Sequence, residues 1–352
     1  MELAIRARRK DEHIQISCLC QDGPGKNGFD DVYLLHHAVP ELDFDSIDLS
    51  QDFLGKPLQY PLLINAITGG TEMSKEINRA LALLARDFGL AMAVGSQSIA
   101  VTDRKRKPTF TVVREVNPDG IILANISALA RPEEALQAVE MIAADALQLH
   151  LNVPQELAMR EGERHFSGML DNIARIAALS PVPVIAKEVG FGLSRESVKQ
   201  LYEAGVRLFD TGGQGGTNFI VIENLRQGCF DHELDCWGLP TAVSLAEIVA
   251  LGLPVKIIAS GGIRTAVDAA KALCMGAALV GMAGPLVKHY VQKGSDSLST
   301  FMEQWLYRLK AIFLMTSSAD LAAIHEKPLI ILGHTRAWLE ARHIDCDLWS
   351  RR

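Results

Sequence analysis

Short apolar runs alternate with amphipathic stretches along most of the chain. The runs lie at 61–70 (PLLINAITGG), 90–96 (LAMAVGS), 120–127 (GIILANIS), 146–152 (ALQLHLN), 183–190 (PVIAKEVG), 208–216 (LFDTGGQGG), 255–262 (VKIIASGG) and 278–285 (ALVGMAGP). Each is bounded by Gly, Pro or Asn, the pattern of strands buried on both faces. Helical signals fill the gaps. Ile77, Leu81 and Leu84 recur at helical spacing within 72–88. Pro132, Glu133 and Glu134 open 131–143. Ser194 opens 194–204, with Glu196 and Ser197 behind it and Gly205 ending it, and Thr265 caps 265–275 before Gly276. Strand and helix in strict alternation predict an α/β fold with a parallel sheet, either doubly wound or closed; eight units favour closure into a TIM (β/α)8 barrel. The pattern predicts an N-terminal arm and cap over 1–60, the barrel over 61–290, and a C-terminal helix and tail over 291–352, with no long linker between them.

Composition narrows the picture. The 352 residues are 48% hydrophobic but only 6% aromatic, as expected of a layered α/β protein rich in small aliphatics. The net charge of −7 argues against nucleic acid or a membrane surface as partner, so any anion site must be local. No apolar run reaches the roughly 18 residues of a membrane-spanning helix. The basic N-terminus lacks the apolar core of a signal peptide, and Asp11 and Glu12 argue against a transit peptide. The cysteines Cys18, Cys20, Cys229, Cys236, Cys274 and Cys346 lack zinc spacing and read as free cytosolic thiols. The expected setting is cytoplasmic.

Candidate chemistry sits at the strand ends. IASGGIR (258–264) and GMAGPL (281–286) are glycine-rich where barrels bind phosphate, after strands seven and eight, and Arg264 supplies a guanidinium for it. DTGGQGGTN (210–218) reads as a loop that wraps a ligand or acts as a lid, with Thr217 and Asn218 offering hydrogen bonds. After the first strand, NAITGG and Met73 would lay backbone N–H groups against a flat ligand. Lys187 on strand five faces the barrel interior if Val189 does. It then acts as a cation beside an electron-rich ring, as a Schiff-base nucleophile, or as half of a structural ion pair. Glu188 falls on the opposite face and reads as structural. His150 and Asn152 share a face of strand four, and Gln155 and Glu156 follow in its loop; one carboxylate there suits magnesium holding a substrate phosphate, not zinc. In the arm, Arg9 and His13 stand one helical turn apart beside Arg8 and Lys10, which suits a diphosphate or else a solvated surface run.

Taken in order, RRKDEHI, NAITGG, AVGSQ, HLNVPQE, KEVGFG, GGQGGTNF, ASGGIR and GMAGP span nearly the whole chain. Together they closely resemble the type 2, flavin-dependent isopentenyl-diphosphate isomerases. The resemblance implies interconversion of isopentenyl and dimethylallyl diphosphate with reduced FMN as acid/base, Mg2+, NADPH as reductant and no net redox change. It also implies a homo-oligomer, tetramer or octamer. It implies that Ala66, Ile67, Thr68, Ser96, Asn125, Lys187, Thr217, Gly262, Arg264, Ala283 and Gly284 hold FMN. Of these, Gly262, Arg264, Ala283 and Gly284 lie nearest its phosphate, and Lys187 lies by the flavin's N1–C2=O edge. Glu156 would hold the metal. Asn152 and Gln155 would face the substrate, and Arg9, Lys10 and His13 would close over its diphosphate. Gln155, Lys187 and His150 are the catalytic candidates. Ser98 departs from the Arg that many members carry, with Arg8 or Arg104 as substitutes, and Thr211 is a further FMN candidate.

The competing readings are an FMN-dependent oxidoreductase of the hydroxy-acid oxidase or dihydroorotate dehydrogenase type, a Schiff-base lyase built on Lys187, and a non-catalytic sensor of phosphorylated ligands. The sequence offers no clear His–Arg clamp for a substrate carboxylate, and GGQGGTN holds no nucleophilic Cys.

Overall fold

A computed structural model describes residues 2–19, 23–227 and 230–352. Cys20, Asp22 and Cys229, and the side chain of Arg8, lie outside the described residues. Cys18, Cys236, Cys274 and Cys346 are free thiols.

Eight parallel strands close into a barrel: β1 (Leu62–Ile64), β2 (Ala91–Ala93), β3 (Ile122–Ser127), β4 (Ala146–Leu151), β5 (Val184–Glu188), β6 (Leu208–Asp210), β7 (Lys256–Ser260) and β8 (Leu279–Met282). Sequence neighbours pair throughout, and β8 returns to β1 through Val280 opposite Leu62. Every expected run contains one strand. The runs extend past the strands because their glycine-rich ends are loops. Local signals bound the helices, and Thr265 caps as expected. Thr71 caps Glu72–Phe88 and Gly89 ends it in the left-handed region, while Thr265 and Asp268 cap each other's backbone at the start of Ala266–Met275.

Strand alternation builds the interior in layers. Inward positions at the N-terminal end are apolar: Leu63, Ala91, Ala93, Leu123, Ala146, Ile185, Leu208, Ile258 and Leu279 form one buried cluster. The same cluster includes Phe53 and Leu58. They come from a hairpin, Gln51–Phe53 with Lys56–Leu58, that plugs this end of the barrel and that the periodicity did not predict. Outward positions such as Ile64, Met92, Leu147, Phe209 and Val280 pack with the helices in a second, larger cluster.

The ends of the chain meet. Val32–Leu34 pairs antiparallel with Leu329–Ile331, tying the cap to the tail. The C-terminal helix starts directly after β8, as Gly284–Met315, and changes direction at Gly294 (φ 79°, ψ −178°). Among the described residues, no helix is long and apolar enough to cross a membrane.

Candidate active site

Two positions further along six of the eight strands, the inward residue turns polar, while on β2 and β8 it is Gly95 and Gly281. Leu63 is followed by Asn65, Leu123 by Asn125, Ala146 by Gln148 and then His150, Ile185 by Lys187, Leu208 by Asp210, and Ile258 by Ser260. Asn65, Asn125, His150, Lys187 and Ser260 line a cavity of about 670 Å³ at the C-terminal face, in the size range of a cofactor site, and Gln148 and Asp210 lie buried beneath them.

The floor is hydrogen-bonded throughout, as buried polar groups must be. The Asp210 carboxylate is fully buried and accepts from Asn65 Nδ2 (2.7 Å), Gln148 Nε2 (3.4 Å) and Ser260 Oγ. Lys187 Nζ stands 3.6 Å from the same carboxylate and donates to Glu188 O at 3.1 Å. Gln148 Oε1 accepts from Asn125 Nδ2 (3.0 Å), and Asn125 Oδ1 meets His150 Nδ1 (2.9 Å). Burial, with the cations Lys187 and Lys10 nearby, lowers the His150 pKa to about 3, so the imidazole is neutral at physiological pH. Glu188 faces away from the cavity and accepts from the N–H groups of Phe191 and Gly192; burial pushes its carboxyl up to about 8.

One wall is backbone. The loops after β6 and β7 touch so closely that a Cβ on Gly216 would stand 2.6 Å from Gly262 N. The N–H groups of Gly261, Gly262, Ala283 and Gly284 find no acceptor among the described residues. Ala283 and Gly284 also begin a helix, so this wall offers a row of donors and a helix dipole to an anion. Arg264 lines the cavity here and donates to Gly215 O (2.5 Å) and Gly262 O (3.3 Å), bracing both loops. Thr68, Ser96 and Thr217 complete the lining on this side. Glycine backbone, unengaged donors, an amide and a cation fit a flavin mononucleotide in both size and donor chemistry.

The arm helix Glu2–Leu19 adds Arg9, Lys10 and His13 to the lining of the same cavity. Lys10 donates to Ser96 O at 2.7 Å and lies over the Phe110 ring; burial, with Arg9 and Arg106 nearby, lowers its pKa to about 7. Arg9 pairs with Glu161 at 3.3 Å. His13 sits 2.6 Å from Glu223 Oε1, and Arg226 bridges Glu223 and Glu12. Burial lowers the His13 pKa even against the Glu223 carboxylate. Gln155 and Glu156 lie not in a loop, as expected, but in a short helix, Val153–Ala158, directly after β4; Asn152 at its start donates through Nδ2 to both Gln155 Oε1 and Glu156 Oε1 at 3.0 Å, and Glu156 Oε2 accepts from Glu163 N. No group of three or more His, Cys, Asp or Glu that could hold a metal occurs among the described residues. A metal on Glu156 must therefore complete its shell with water and ligand oxygens, which is magnesium's habit.

Every site residue singled out in the sequence lines this cavity: Arg9, Lys10, His13, Ala66, Ile67, Thr68, Ser96, Asn125, His150, Asn152, Gln155, Glu156, Lys187, Thr217, Gly262, Arg264, Ala283 and Gly284. Ser98 lines it too, 3.1 Å from Ser96 Oγ. Four subsidiary expectations need correction. Asn218 does not line the cavity, because its amide caps the N–H groups of Ile220 and Val221 and donates to Asp235 O. Arg104 does not reach the cavity, because it lies in a surface turn, Arg104–Arg106. Thr211 is buried behind the wall, donating to Ser260 O. Met73 is exposed on the first turn of Glu72–Phe88 and lays no backbone against a ligand. Sequence reasoning missed Asn65, Gln148, Asp210 and Glu223. Gln148 carried a usable signal, since it alternates with His150 on one strand face.

Residues 104–330 match the family model of the FMN-dependent dehydrogenases. Isopentenyl-diphosphate delta-isomerase of Moorella thermoacetica is 51% identical over 337 residues, 96% of this chain and 97% of that one. The protein of that name from Symbiobacterium thermophilum is 45% identical over 99% of both chains, and that from a Geobacillus species is 44% identical over 99% of both. Among solved structures, a mandelate oxidase variant with an FMN adduct superposes with a TM-score of 0.67 at 15% identity, over 94% of this chain and 100% of that one. A lactate oxidase of Pediococcus acidilactici gives 0.68 at 16% identity, over 94% and 95%. These structures share the barrel fold.

Proposed function

The chain belongs to the type 2, FMN-dependent family of isopentenyl-diphosphate delta-isomerases, and on that premise we propose that its cavity interconverts isopentenyl and dimethylallyl diphosphate with no net redox change. One observation carries the reading: a single cavity with a polar floor is lined both by unengaged backbone donors of the β7 and β8 loops and by the basic groups of the arm.

Ala66, Ile67, Thr68, Ser96, Asn125, Lys187, Thr217, Gly262, Arg264, Ala283 and Gly284 would hold FMN, with the last four toward its phosphate. Reduced FMN supplies, when bound, an electron-rich ring and an exchangeable proton to a reaction that adds a proton at one carbon and removes one from another. Lys187 places its charge at the cavity floor. Its pairing with Asp210 suits a fixed cation better than a Schiff-base nucleophile, which must be free to lose its proton. His150, held neutral, offers an acceptor to the bound ligands. Arg9, Lys10 and His13 would close over the diphosphate, Arg9 and Lys10 supplying charge and His13 a hydrogen bond, and with the arm helix exclude water from the reacting carbons. Asn152 and Gln155 orient the substrate, and Asn152 also aims the Glu156 carboxylate, which would share Mg2+ with the diphosphate.

The family resemblance alone supports NADPH as reductant and a tetrameric or octameric homo-oligomer. The resemblance, the acidic charge and the unpaired thiols support a cytoplasmic setting. We read 1–60 as arm and cap, 61–290 as barrel and 291–352 as the packing extension. Reduced, FMN-loaded protein given isopentenyl diphosphate and magnesium should yield the dimethylallyl isomer. Absence of product from folded, flavin-loaded protein would overturn the assignment.

A further inference from the structure

The floor of the cavity fixes the direction of every hydrogen bond in it. The backbone N–H of Ala66 can only donate, so Asn65 must give it Oδ1 and present Nδ2 to Asp210, and Gln148 meets Asn65 Oδ1 and Asp210 with Nε2. Asn65 Oδ1 accepts from Ala66 N (2.8 Å) and Gln148 Nε2 (3.1 Å), which holds both amides in that orientation. Gln148 must then present Oε1 to Asn125, and Asn125 must donate to it through Nδ2. Asn125 is left with Oδ1 toward His150, so His150 Nδ1 carries the proton and donates it. Nε2 is then an unprotonated acceptor on a side chain that lines the cavity.

The space around this relay is built for it. A Cβ on Gly281 would stand 2.8 Å from Ser260 Cβ and 2.9 Å from Asn65 Nδ2, so only glycine lets β8 pass. Ser260 and Gly212 N bond the other carboxylate oxygen, leaving Asp210 no freedom to turn. The neutral state of His150 agrees with the geometry.

We propose that Asp210 is a positioning residue that, through Gln148 and Asn125, locks His150 as the Nδ1–H tautomer with Nε2 held as a hydrogen-bond acceptor for an N–H or O–H donor of the bound cofactor or substrate. The same carboxylate faces Lys187, so one buried anion orients the cation and the neutral acceptor of the floor together. Fixing a tautomer through a buried carboxylate has large kinetic consequences elsewhere, because the wrong tautomer offers a proton where an acceptor is needed. The inference rests on the proposed isomerase site for its catalytic meaning, but the tautomer itself does not depend on that reading.

The test is 15N NMR of histidine-labelled, flavin-free protein, with the His150 signals identified by their loss in His150→Gln. Wild type should show a pyrrole-type Nδ1 and a pyridine-type Nε2. Asp210→Asn removes one of the two anchors of the relay, the Ala66 N–H still holding Asn65 Oδ1, and should shift His150 toward the Nε2–H tautomer to a smaller extent than loss of Gln148 does; no shift at all would overturn the role of Asp210. Gln148→Met, which cuts the relay and leaves Asp210 and Lys187 in place, should do the same and keeps the test valid if Asp210→Asn fails to fold. In the FMN-loaded enzyme, Gln148→Met should lower kcat by at least about 10-fold with KM within about 2-fold. A wild-type His150 with Nε2 protonated, or an unchanged tautomer in folded Gln148→Met, would overturn the relay. Failure of the wild-type enzyme to isomerise would instead count against the functional assignment and leave the tautomer result standing.

Discussion

The two ends of the barrel interior use the same strands for opposite purposes. Toward the N-terminal end, inward positions are aliphatic and Phe53 and Leu58 seal them from water. One step of two residues further on, the same faces carry Asn65, Asn125, Gln148, Lys187, Asp210 and Ser260, joined around a buried carboxylate. Apolar burial below supplies stability that the polar layer above does not have to provide. The polar layer can therefore hold a charge and a neutral imidazole where a ligand will meet them. Substitutions in the lower half should cost folding, and those in the upper half should cost rate.

The largest effect that sharpens this contrast is in the plug. Phe53→Ala should cost about 3–5 kcal/mol of stability in denaturant unfolding, with kcat per folded, flavin-loaded molecule unchanged. A fall in kcat with normal stability would erase the contrast. Next comes Lys187→Ala, expected to lower kcat/KM by about 10²–10³-fold while moving the unfolding midpoint less than Phe53→Ala does. Glu156→Gln should cost about 100-fold in activity and weaken the magnesium dependence; full activity with unchanged metal dependence would show that Glu156 is not the metal ligand. Smaller still is a proton balance. Lys10 has a pKa of about 7 in the empty cavity, and a diphosphate beside it favours the charged form. Substrate binding between about pH 7 and 9 should therefore take up protons, visible calorimetrically in buffers of different ionisation enthalpy, and Lys10→Met should remove that uptake.

A separate effect, confined to acid pH, is on the pH dependence of stability. His150 has a pKa of about 3 in the fold against 6.5 in the unfolded chain. Between those values the unfolded state binds the extra proton, so the contribution is complete above pH 6.5 and is lost as the pH falls toward 3, by at most about 1.4 kcal/mol per pH unit. His150→Gln should flatten the stability curve in that window.

Much of this organisation was legible before the fold was known. Apolar runs bounded by Gly, Pro or Asn located all eight strands, and strand ends located the cavity, because buried parallel strands and phosphate loops leave local signatures. The plug was not legible: QDFLGKPL is too short and polar to declare a hairpin, and its role exists only once the barrel gives Phe53 and Leu58 a place to go. Asp210 was read as the start of a ligand loop, since nothing in LFDTGG says that Asn65 and Gln148 arrive beside it from strands more than 60 residues away. Glu223 and Arg226 were invisible for the same reason. Their partners, His13 and Glu12, are in the arm.

The central claim is that the upper layer serves an acid–base isomerisation rather than a net oxidation. The direct measurement is to run the pre-reduced, FMN-loaded enzyme with magnesium and isopentenyl diphosphate in D2O, following product mass and NADPH together. The account predicts dimethylallyl diphosphate carrying solvent deuterium, with no NADPH consumed beyond that needed to reduce the flavin. Product formation with stoichiometric NADPH consumption, or folded and loaded enzyme that forms no dimethylallyl diphosphate, would contradict it.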